Sequence, residues 1–116
     1  MTTHHDHDSE AMFPRWPVTF DPPTRRIVDP PQPVIVSINA ALSVTSSTSF
    51  RDGIPLRVRA EGLAMDMKCQ GALHGWARTN VGSWLANVSF SIPTGNGMGQ
   101  LDVRQWCPSD AITPLQ

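Results

Sequence analysis

Between Ile54 and Cys107 apolar and polar residues alternate with a period of two, and a half-buried β-strand is the element that sends successive side chains to opposite faces. Leu56, Val58 and Ala60 alternate with Arg57, Arg59 and Glu61, which predicts a strand with one core face and one wet face. Residues 67–78 read as the next strand, with Leu73, Gly75 and Ala77 facing in and His74, Trp76 and Arg78 facing out. Trp84, Ala86, Val88, Phe90 and Ile92 form the clearest inner face, opposite Leu85, Asn87, Ser89 and Ser91. In the last strand Leu101 and Val103 point inward and Gln100, Asp102 and Arg104 outward. Thr79-Asn80-Val81-Gly82 and the glycine-rich residues 93–99 supply the hairpin turns.

Upstream, Val34, Val36 and Ile38 start a further strand, a serine and threonine run follows, and Asp52-Gly53 marks a tight turn. The β-branched and serine-rich composition predicts no helix from 33 to 53. The expected fold is therefore all-β: a small antiparallel barrel or sandwich over residues 34–116, preceded by an extended proline-rich arm over residues 1–33. Four meandering strands, a short turn at Ser109 or Asp110 and a last apolar segment are similar in architecture to SH3-type small barrels. No residue motif adds to that likeness.

The arm is apolar in an unusual way. Phe13, Trp16 and Phe20 are interleaved with prolines, and seven of the chain's 11 prolines fall before Val34. Proline fixes φ and removes a backbone donor, so an extended path is expected. A disordered linker is poor in large apolar residues. These aromatic residues therefore either fold back over the barrel or dock on another protein, with Arg25 and Arg26 at the rim of the contact.

At 116 residues there is room for one domain, and a core this small gains from a partner. The net charge is −1, and from residue 11 onward nine basic residues face seven acidic ones, too weak a bias to announce nucleic acid. No apolar run approaches a membrane span, and the start lacks the pattern of a secretory leader, so the expected setting is cytoplasmic, or a virion if the chain is phage-encoded. Cys69 and Cys107 then read as free thiols, with a bridge left open. The terminal cluster His4, His5, Asp6, His7 and Asp8 reads as a solvated terminus, and no metal or other cofactor is expected.

Catalytic spacings are missing from the sequence: there is no Gly-x-Ser-x-Gly, no His-Glu-x-x-His and no tyrosine. The expected function is a non-enzymatic protein-interaction or structural subunit, in contact with a protein partner or with further copies of itself through Phe13, Trp16, Phe20, Arg25 and Arg26. The alternative is a single-stranded nucleic-acid-binding barrel using Arg57, Arg59, Trp76, Arg78, Arg104 and Trp106 as basic and aromatic contacts on one outer surface.

Overall fold

A computed structural model describes residues 12–17, 21–42 and 54–115. They are mostly β, in one antiparallel sheet of five strands: β1 (Arg25–Ser37), β2 (Lys68–Arg78), β3 (Trp84–Pro93), β4 (Gln100–Pro108) and β5 (Ile112–Pro114), ordered β4-β3-β2-β1-β5. Two short helices, α1 (Ile38–Leu42) and α2 (Leu56–Glu61), lie between β1 and β2, and a 3₁₀ turn, Ser109–Ala111, joins β4 to β5.

The all-β, antiparallel character is as expected, but the sheet is open and closure into the expected barrel or sandwich is not seen: β4 and β5 are its two edges and do not pair with each other. It must nevertheless coil. In a flat sheet those edges would stand about 19 Å apart, at roughly 4.8 Å per strand. The three residues of the 3₁₀ turn, rising only about 2 Å each, carry the chain from one edge strand to the other.

The core lies on one face of this sheet. Val34 and Val36 from β1, Leu73 from β2, Ala86, Val88, Phe90 and Ile92 from β3, and Cys107 from β4 are buried together. Ile38 and Ala41 of α1 and Ala111 of the turn close over them. Ala86, Val88, Phe90 and Ile92 of β3 are buried at alternate positions as expected, and Asn87 on the opposite face is buried as well. Leu101 departs from expectation: it is 49% exposed, near the start of an edge strand.

Both helices run against the sequence reading. Ala40-Ala41-Leu42 is a local run of strong helix formers hidden by the serine-rich average around it, and Ile38 and Ala41 take the buried face three residues apart. Leu56 to Glu61 is helical too, not a strand. Its alternation spans only three apolar residues, whereas Leu, Arg, Ala and Glu all favour helix and Pro55 stands at its N-cap. Leu56 is 79% and Val58 54% exposed, so α2 buries nothing of its own. It is held at its C-terminal end, where Asn96 donates to the Ala60 carbonyl at 2.7 Å and Gly95 to that of Gly62 at 2.8 Å.

β1 begins inside the segment expected to be arm. Arg25, Arg26 and Ile27 pair with Ala77, Trp76 and Gly75, the ladder breaks, and pairing resumes at Gln32 opposite Leu73. Pro30 and Pro31 fall in the break, because proline offers no donor to a ladder.

Candidate functional site

A bulge in β2 decides which side chains share a face. Leu73 pairs with Val88 and Trp76 with Ala86, and Val88 and Ala86 are on the same face of β3, so Leu73 and Trp76 are too. They are three positions apart where unbroken alternation needs an even spacing, and the shift lies between Leu73 and Gly75. Trp76 and Arg78 are thus turned to the core side, and Gly75 and Ala77 to the outer side. This corrects the expected inward set of Leu73, Gly75 and Ala77. The displaced His74 shares a 2.8 Å hydrogen bond between its Nε2 and the Ser89 hydroxyl.

The arm covers the outer face. Phe13 is buried, edge-on to Trp16 at 5.5 Å between ring centroids and tilted against Trp106 at 5.8 Å. The Arg25 guanidinium lies 5.2 Å from the Phe13 ring centroid, and its Nε donates to the Trp16 carbonyl at 2.6 Å. Met12 reaches Gly75, where a Cβ would lie 2.6 Å from its sulfur and 2.8 Å from the Arg26 carbonyl oxygen. Phe13, Trp16 and Arg25 are therefore one cluster resting on the chain's own sheet. Arg26, the next residue along the strand, points to the other face, and Phe20 lies outside the described residues.

On the core side, where the coil opens, Arg26, Trp76, Trp84 and Ser109 line a cleft of about 310 Å³. Arg26 stands opposite Trp76 in the β1–β2 ladder, and Arg78 opposite Trp84 in the β2–β3 ladder. The hairpin between β2 and β3 holds the second pair: Thr79 accepts and donates across the turn to Ser83, Gly82 takes a φ of +93°, and Arg78 Nε donates to the Gly82 carbonyl at 3.3 Å. Arg78 then sits 5.4 Å from the Trp84 ring centroid, and Trp76 meets Trp84 edge-on at 6.3 Å with planes 82° apart. Both indoles are partly buried, and Trp76 packs against the core, so the corner they form is rigid and still open to solvent.

The six residues of the nucleic-acid alternative do not form one surface. Trp76 lines the cleft and Arg78 lies over the Trp84 ring beside it, Arg104 and Trp106 lie on the outer face opposite Ser89 and Asn87, and Arg57 and Arg59 ride on α2. Arg104 Nε donates to the Asn87 Oδ1 at 2.9 Å, and Trp106 is engaged by Phe13. Trp84 and Ser109 were not among the sequence candidates. The turn at Thr79–Gly82 carried the signal for Trp84, because a hairpin there makes Arg78 and Trp84 neighbours.

Cys69 and Cys107 are free thiols, and burial raises the pKa of each. Among the described residues no three potential metal ligands cluster, and the His4–Asp8 run lies outside them. No helix among the described residues is long and apolar enough to cross a membrane. No family model, curated protein or solved structure matches the chain.

Proposed function

We propose that this protein is a non-enzymatic interaction subunit, a small coiled sheet of SH3-like architecture whose Trp76–Trp84 cleft takes an extended acidic segment of a protein partner. The strand order, with a 3₁₀ turn before the last strand, supports the SH3-like part of this assignment. The observation that carries the function is the cleft itself: two half-buried indoles set at a right angle, with Arg26 on one side and Arg78 on the other.

An edge-to-face corner accepts the ridge of an extended or proline-bearing chain, as aromatic-lined peptide grooves do. It suits a strand of stacked bases less well. Non-specific single-strand binding uses successive free ring faces along a continuous basic track, whereas here Arg78 occupies a face of Trp84 and the other candidate residues lie elsewhere. Phe13 and Trp16 of the arm are engaged on the chain's own sheet, so the cleft is the better place for a partner. The two arginines select a carboxylate-bearing segment, and add salt dependence more than strength. A cellular complex and a phage particle fit this role equally.

The test is a titration of the full chain with a synthetic proline-rich peptide carrying two aspartates, followed by tryptophan fluorescence. Saturable binding is expected, weakened by salt, by replacing the aspartates with asparagine, and by Arg26→Glu, which is exposed and leaves the core untouched. Tight, salt-dependent binding of a deoxythymidine oligonucleotide with no response to the peptide would establish the nucleic-acid alternative instead.

A further inference from the structure

The two edges of the sheet are built differently. β5 is three residues long and ends at Pro114, which is how natural sheets blunt an edge against strand addition. β4 has none of that protection: it runs nine residues in unbroken register with β3, contains no lysine, and has no proline before its final Pro108. Among the described residues it is paired on one side only.

We propose that β4 is a homodimerisation edge, through which two copies join antiparallel about a two-fold axis at Val103 to continue the sheet across both. Charge fixes that register. Pairing about Val103 places Asp102 opposite Arg104 of the second copy and Arg104 opposite its Asp102, two attractive cross-strand pairs from one self-complementary sequence. Centring the pair on Leu101 or Gln105 loses both contacts. An axis falling between residues would set outer-face side chains against inner-face ones and is excluded by the pleat.

The side chains are already aimed for it. Asp102 and Arg104 share the outer face with Ser91 and Ser89, their neighbours on β3. The Ser91 hydroxyl donates to the Asp102 Oδ1 at 2.6 Å and Gln100 Nε2 donates to the same oxygen at 3.0 Å, which orients the carboxylate. Arg104 is oriented by its Nε bond to Asn87, while its guanidinium offers further N–H donors. On the inner face Val103 would meet its own equivalent, and the half-exposed Leu101 would stand opposite Gln105 of the second copy, whose amide stays bonded to the Ala41 carbonyl of its own α1 at 3.0 Å. This surface is distinct from the tryptophan cleft and does not depend on it.

Sedimentation velocity of the full chain over a wide concentration range tests the proposal, with circular dichroism confirming that each variant is folded. A reversible dimer is expected. Asp102→Arg and Arg104→Asp should each weaken it about tenfold or more, since each turns two attractive pairs into repulsive ones. The double variant, with the charges exchanged, should recover dimerisation close to the parent. A parent that stays monomeric at every concentration, a dimer indifferent to both single reversals, or a double variant no better than the singles would overturn it.

Discussion

Replacing Phe13 with alanine removes the side chain that holds the arm to the sheet. Phe13 is 6% exposed, so nearly its whole ring leaves water on folding. Burial of a phenylalanine side chain contributes about 1.5–3 kcal/mol. The contacts with Trp16 and Trp106 add roughly 0.5–1.5 kcal/mol each beyond area, and the Arg25 guanidinium over the ring about 0.5–1 kcal/mol. Those terms overlap, and they have a ceiling. Once the arm lifts away, the variant loses no more than the total docking energy of residues 12–17. The loss expected from Phe13→Ala is therefore about 2–3 kcal/mol, below the upper end for a phenylalanine enclosed in a central core. For a domain of this size that corresponds to a drop in Tm of roughly 10–20 °C. Thermal unfolding followed by far-ultraviolet circular dichroism measures it, and collisional quenching of Trp106 should rise in the folded variant. A Phe13→Ala protein that melts within a degree of the parent would refute the packing of the arm on the outer face.

Further consequences follow from the same contacts. Gly75→Ala places a methyl against the Met12 sulfur and the Arg26 carbonyl oxygen, and the backbone of the neighbouring strand cannot yield, so denaturant titration should show a loss of about 1–3 kcal/mol. Leu56→Ser and Val58→Ser should each change stability by less than about 0.5 kcal/mol, because both side chains are exposed on α2; a large loss would return residues 56–61 to a buried strand. Burial raises the pKa of both thiols, so the folded state keeps protons that the unfolded chain releases, and the thiols contribute a fall in stability as the pH rises above the ordinary thiol value of about 8.5. Below that pH they contribute no slope, and Cys107→Ala should flatten the alkaline limb in a pH series of melts.

The sheet was legible where the pattern was long and unbroken. Five apolar residues at alternate positions from Trp84 to Ile92 identified β3, four of them buried, and the flanking turns gave its antiparallel neighbours. The strand before it was found, but four of the six residues assigned a face were given the wrong one. Period-two reasoning carries parity along a strand, and one inserted residue near His74 reverses it for Gly75 through Arg78. That reversal moved Trp76 and Arg78 from an imagined outer surface with Trp106 to the cleft with Trp84.

Short elements failed for a different reason. Asn39 to Leu42 is a four-residue helical signal inside a long β-like composition, and Leu56 to Ala60 offers two periods, too few to separate a strand from one and a half turns of helix. The prolines of residues 22–33 put that stretch in the extended arm and not in a strand. Arg25 to Ile27 and Gln32 to Ser37 nonetheless join the ladder on either side of Pro30 and Pro31, because a proline is tolerated where the strand has already left the register. Splitting Arg25 from Arg26 follows directly: adjacent strand residues face opposite ways, so one binds the arm and the other lines the cleft.

The chain's four tryptophans divide evenly between the two faces, Trp16 in the arm and Trp106 beneath it, and Trp76 and Trp84 at the cleft. Their indole N–H resonances in a two-dimensional ¹⁵N–¹H spectrum therefore report the two surfaces separately during titration with the acidic proline-rich peptide. The Trp76 and Trp84 signals should shift and saturate together while those of Trp16 and Trp106 stay in place. Shifts confined to Trp16 and Trp106, or no shift in any of the four, would contradict the assignment of the cleft as the interaction site.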